Sequence, residues 1–156
     1  MHTVEPEARL QELGIVVPAA PEPKGLYRPV LVVGNLAYTS GHLPARPDGS
    51  LVVGRLGEDL DEQAGAEAAR LAGLAILASL RSALHSLNRV RRVVKLLGVV
   101  NSTPQFTKQP VVINGCSRLL ADVFGEDLGV GVRSAIAAPT LPLGVAVEIE
   151  AVFEVK

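Results

Sequence analysis

Between Glu58 and Asn88 the chain carries a long helical pattern whose inner stripe is made of small residues. Leu60, Ala64, Ala68, Leu71, Ala75, Ala78 and Ser82 recur at steps of three and four, the spacing of one helix face. Glu58, Asp59, Asp61 and Glu62 crowd its first turns, while His85, Asn88 and Arg89 lie at its end, so the charges complement the helix dipole. A stripe of alanines buries little area unless the helix lies very close to its support. That support must be flat, and the β-branched run Val90 to Asn101 that follows predicts a strand to supply it.

Turn signals place the other strands. Leu26 to Val33 and Leu36 to Ser40 flank Gly34-Asn35 and predict a β-hairpin. Asp48-Gly49 marks another turn, with Leu51 to Val53 as a short returning strand. Pro110 opens a second helix, which Gly125 closes, with Val112, Cys116, Leu119, Leu120 and Val123 on its apolar face. Val132 to Ala138 and Val145 to Val155 are the last two strands. The order of elements predicts an α+β chain, a mixed sheet with two helices packed on one face. In the last strand Val145, Val147, Ile149, Ala151, Phe153 and Val155 share the face under the helices. The other face is left partly apolar, which points to burial against further copies in a closed ring.

At the N-terminus Val4 to Leu13 predicts a short helix with Thr3 as its cap and Gly14 as its stop. Val17 to Lys24, rich in proline, is an extended connector. Residues 1–24 are therefore read as a helical extension and linker, and residues 25–156 as a single domain.

Composition removes several functional classes. A net charge of −1 offers no bulk attraction to nucleic acid or acidic lipid, and 3% aromatic residues leave few platforms for stacking bases. Nucleic acid is disfavoured as a partner. The single cysteine excludes an internal disulfide and a cysteine-based zinc site, and no His/Cys/Asp cluster has metal-ligand spacing. No run is apolar enough for a membrane span and no secretory pattern opens the chain, so the cytoplasm is the expected compartment.

Three residues invite a chemical reading. Arg133, at the start of a late strand, could clamp a carboxylate with its planar fork, or form a surface ion pair. Glu148 points by strand alternation to the face away from the helices. There it could shuttle protons with a raised pKa, or simply be solvated. Tyr27 could orient a ligand or seal an edge.

Four stretches, in order, resemble the Rid (YjgF) family of enamine/imine deaminases. Gly25-Leu26-Tyr27 is similar to the family's Gly-Pro-Tyr motif, and Tyr38 to Pro44 (YTSGHLP) to its Thr-Ser-Gly-Gln-x-Pro turn. Val111 to Asn114 (VVIN) leads the second helix, and Arg133 to Glu150 (RSAIAAPTLPLGVAVEIE) resembles the C-terminal signature. The resemblance implies a chorismate-mutase-like fold, a homotrimer, and a pocket for a small carboxylate-bearing substrate at each subunit contact. It further implies cofactor-free hydrolysis of 2-aminoacrylate-type enamines and imines to 2-keto acids and ammonia. Carried over by position, Arg133 binds the substrate carboxylate and Glu148 holds or activates water. Tyr27 and Asn114 line the pocket, and the Ser40-Gly41 turn supplies backbone contacts. Three residues depart from the family pattern: Ala135 stands where many members have cysteine, His42 where glutamine is usual, and Arg28 where a small residue is common. A trimer that only senses a metabolite carboxylate is the competing expectation, and RNA cleavage, a label attached to relatives, is a third.

Cys116 is expected in the core, His85 at a helix end serving the dipole, and Arg89, Arg91, Arg92 and Lys95 on a solvated sheet edge.

Overall fold

A computed structural model describes residues 5–156. The expected Thr3 cap lies outside the described residues. Helix α1 spans Pro6–Leu13, strands β1 and β2 span Val30–Val33 and Leu36–Thr39, and the long helix α2 spans Glu62–Leu84. Strand β3 (Val90–Asn101), helix α3 (Gln109–Phe124), a single turn α4 (Glu126–Gly129), and strands β4 (Val132–Ala138) and β5 (Val147–Val155) complete the chain. The strands form one sheet in the order β1-β2-β5-β3-β4, with β3 and β4 parallel and all other neighbours antiparallel. Helices α2 and α3 pack together and cover one face. This is the α+β mixed sheet that the element order predicts.

The alternation of β5 is realised in full. Val147, Ile149, Ala151, Phe153 and Val155 are buried beneath the helices, whereas Glu148, Glu150, Val152 and Glu154 turn the other way. That second face carries exposed Leu31, Val33, Tyr38, Val132 and Ile136 with no layer over them.

Helix α2 is shorter than its charge pattern suggests, and its buried stripe is rotated. Asp61 caps it, its carboxylate accepting from Ala64 N at 2.8 Å. Residues 55–60 form a separate turn in which the Asp59 carboxylate receives the Arg55 N–H at 3.0 Å. Ala68, Ala75 and Ala78 are buried as expected, but Ser82 is exposed and Ala64 and Leu71 are only partly covered. Gly65, Ala69, Ala72, Gly73, Ile76 and Leu80 take their place in the core. A second helix, not only the sheet, packs on this surface: a β-carbon at Gly73 would sit 3.0 Å from Cys116 Sγ on α3, and one at Gly115 would press into the backbone of Ala66. Glycine therefore sets the approach of α2 to α3.

The other differences are local. Only Val30–Val33 of the first expected strand is extended, because Pro29 precedes it and residues 24–27 bend. Leu51 to Val53 makes isolated bridges to Ala45 and Val145 rather than a strand. His85 ends α2 by adopting the left-handed conformation (φ 68°). Strand β3 is interior, so its basic cluster does not guard an edge. Arg89 donates instead to the Lys156 carbonyl at 2.9 Å, and Arg91 lies 3.9 Å from Glu154. Cys116 is fully buried, and burial pushes its thiol up to about 12, which leaves it unreactive.

Helix α1 is fastened to the far end of α2. Glu7 receives two hydrogen bonds from Arg81 (3.2 and 2.7 Å) and one from the Leu87 N–H (2.9 Å), while Leu10 is buried.

Candidate active site: two half-sites on opposite faces of the sheet

Arg133 stands near the start of β4, beside Leu96 of β3, on the face that the helices cover. Because β4 is the last strand, its side chain reaches past the sheet margin to α3. There Nη1 donates to Ser117 Oγ at 3.0 Å and Nη2 donates to the Pro110 carbonyl at 3.2 Å. Asn114 lies on the same side of α3, four residues after Pro110 and three before Ser117, and is exposed. The guanidinium is thus held flat by two fixed acceptors and keeps its remaining donors free for an anion. Asn114, chosen from sequence with Arg133, shares the side of α3 that the Arg133 side chain reaches. Ser117, which completes this group, was missed; only its helical spacing from Asn114 could have signalled it.

Glu148 stands on β5 opposite Val99 of β3, on the uncovered face. It is half-buried, and its carboxyl is held above the ordinary carboxylate range, first by burial and second by the negative charge of Glu150. The Ser40-Gly41 turn lies directly against it. A β-carbon at Gly41 would come within 2.8 Å of the Glu148 carboxyl carbon, so only glycine leaves room for the side chain. The Ser40 hydroxyl donates to the Arg28 carbonyl, and Ser40 N donates to the Pro29 carbonyl at 2.9 Å. Those bonds tie the loop carrying Tyr27, itself half exposed, to the same turn. Glu148, Ser40 and Gly41 therefore form a second group, and Tyr27 lies on the loop bonded to it.

The two groups do not meet within one chain. Val99 pairs with Glu148 on one side and Ile136 on the other, whereas Leu96 pairs with Arg133 and Ala151. Paired residues share a face, so the sheet separates the guanidinium from the carboxylate. Among the described residues no cluster of three or more His, Cys, Asp or Glu side chains could hold a metal ion, and no helix is long and apolar enough to cross a membrane.

Residues 7–154 match the protein family described as "YjgF/chorismate_mutase-like, putative endoribonuclease". Protein TCP17 of Trypanosoma cruzi is 43% identical over 149 residues, which cover 96% of this chain and 93% of that one. Among solved structures, the protein Atu1372 of Agrobacterium tumefaciens is 42% identical, with a TM-score of 0.87 over 97% of this chain and 94% of that one. A protein from Shewanella oneidensis described as a "putative endoribonuclease" is 33% identical, with a TM-score of 0.91 over 96% of this chain and 99% of that one.

Proposed function

The chain belongs to the YjgF/chorismate-mutase-like family, and from that premise we propose that it hydrolyses small 2-imino and 2-enamino carboxylates to 2-keto acids and ammonia. The observation that carries this reading is the pair of half-sites on opposite faces of one sheet. Arg133 is aligned and has donors to spare, while Glu148 is poised with a raised pKa. One ligand can touch both only where two copies meet, with Arg133 from one subunit and Glu148 from its neighbour. The exposed apolar residues on the face that Glu148 shares favour such a contact, and a closed trimer gives three equivalent sites.

The chemistry asks little beyond placement. An imine carbon is electrophilic, so Arg133 fixes the substrate carboxylate and Glu148 takes a proton from water as its oxygen attacks that carbon. Passing that proton to the imine nitrogen gives an addition product with hydroxyl and amine on one carbon. Glu148 then takes the hydroxyl proton as the carbon–oxygen double bond forms and the carbon–nitrogen bond breaks, and delivers it to the departing nitrogen, so ammonia leaves and the carboxylate is regenerated. Water is consumed, ammonia and keto acid are released, and no oxidant is required.

The test is a coupled assay in which a lyase generates 2-aminoacrylate and keto-acid release is followed. Arg133→Ala and Glu148→Gln should each be inactive, and mixing the two subunits should restore intact sites at roughly a quarter of the contacts. A wild type inert toward the imine but active on RNA would instead favour the nuclease reading. Ligand binding without turnover would favour a sensor.

A further inference from the structure

His42 is buried (4% exposed) beneath α2, yet it follows directly on the Ser40-Gly41 turn. Its backbone exchanges hydrogen bonds with Ile149, the residue after Glu148, at 2.8 and 3.1 Å. Its ring lies on the helix side, with Nδ1 at 2.7 Å from the Ser40 carbonyl and Nε2 at 2.7 Å from Ser79 Oγ on α2. A carbonyl only accepts, so Nδ1 carries the proton and Nε2 accepts from the Ser79 hydroxyl. Burial holds the ring below the ordinary histidine range, with the Ser40 carbonyl opposing, so the neutral form fits the site. The Ser40 carbonyl also receives the Thr39 hydroxyl at 3.0 Å, and Thr39 Oγ1 in turn accepts from Ala151 N at 3.0 Å.

A serine and a histidine at this distance could be mistaken for a nucleophile and its base. Ser79 is 3% exposed on the inner face of α2 and has no path to a substrate, which removes that role. What remains is a tie between the long helix and the turn on the other side of the sheet. On the deaminase reading, we propose that His42 is a positioning residue: its ring anchors the Ser40 carbonyl to Ser79 and thereby holds the Ser40-Gly41 turn where it aligns Glu148 for water delivery. Gly41 carries no side chain, so at this turn the Glu148 carboxyl meets backbone. The backbone is held at Ser40.

Three variants test this. His42→Gln keeps one donor and one acceptor at the end of the side chain, as the neutral imidazole does. His42→Leu fills the space without either, and Ser79→Ala removes only the hydroxyl. In the imine assay His42→Leu should lower kcat by about 10- to 100-fold, the scale of a displaced catalytic group. KM should change little, because Arg133 belongs to the separate group on α3 and β4. His42→Gln should recover most of the rate, and Ser79→Ala should lower kcat in the same direction as His42→Leu but less. Independently of activity, the Glu148 carboxyl titration followed by carbon NMR should move in His42→Leu and stay in place in His42→Gln. A folded His42→Leu with unchanged kcat and unchanged Glu148 titration overturns the assignment, as does an effect confined to KM. If His42→Leu does not fold, a folded Ser79→Ala that leaves both quantities unchanged overturns it instead. An inert wild type defeats the deaminase reading, and the titrations still decide whether His42 positions Glu148.

Discussion

The carboxyl group of Glu148 rests on the backbone of Gly41, with its carboxyl carbon 2.8 Å from where a β-carbon would stand. Contact of this kind makes Gly41 a shape requirement rather than a conformational one, since its φ is not in the left-handed region. Gly41→Ala meets only the end of a flexible side chain, so the fold should survive while Glu148 swings aside. Turnover should fall by about 10- to 100-fold, with a melting temperature close to that of the wild type. Paired kinetic and thermal measurements would check this.

Glu148 and Glu150 share a face, yet only Glu148 is half-buried against the turn. Glu148→Gln should lower turnover by about 10²- to 10⁴-fold, the range for loss of a positioned proton-transfer group, with carboxylate binding retained. Glu150→Gln should cost little rate and should lower the apparent pKa of Glu148, because it removes the second cause of its rise. Equal losses of turnover in the two variants would remove the special role of Glu148.

The same shift has a consequence for stability. A carboxyl whose folded pKa is raised binds its proton more tightly in the native state. It therefore stabilises the fold below the unfolded pKa, and that contribution is lost as pH rises through the folded pKa. Above that raised pKa the ionised Glu148 is a destabilising group, so Glu148→Gln should melt higher than the wild type there, and the gap should close as pH falls. On the rate side, activity that needs the ionised carboxylate should decline as pH drops through its raised pKa.

The side-chain hydrogen bonds of Arg133 run to Ser117 and the Pro110 carbonyl, both on α3 and neither fully buried. Arg133→Ala should therefore leave the fold and assembly intact while abolishing turnover. Arg133→Lys should also fail, by more than about tenfold, because a point charge cannot reproduce the bidentate fork. Circular dichroism and the coupled assay separate the outcomes.

Ile136 lies on the uncovered face in register with Val99 and, through it, Glu148. Light scattering should show a trimer for the wild type. Ile136→Asp should place a charge in the contact and yield a folded but inactive smaller species, since each copy alone holds only half a site. An active monomer would contradict the shared pocket.

Glu7 offers a control far from the chemistry. Removing its carboxylate in Glu7→Ala leaves Arg81 and the Leu87 N–H without their partner. The cost should be about 1–2 kcal/mol in denaturant unfolding, with turnover unchanged.

The sequence by itself determined the main helices and strands, their order and the family. Apolar alternation in β5, the Gly34-Asn35 turn and the acidic start of α2 are local signals, and the C-terminal signature is read directly from residue types. Strand parity also placed Glu148 on the uncovered face. Tertiary structure decided what depends on two surfaces meeting. Which alanines and glycines of α2 are buried was settled by the close approach of α3, through Gly73 and Gly115, and not by helical spacing alone. The interior position of β3 was settled by pairing partners far away in sequence. The partners of Arg133, the tie from His42 to Ser79 and the seat of Glu148 on Gly41 likewise join residues from separate elements. Periodicity reports which way a side chain points, but only packing fixes what it touches.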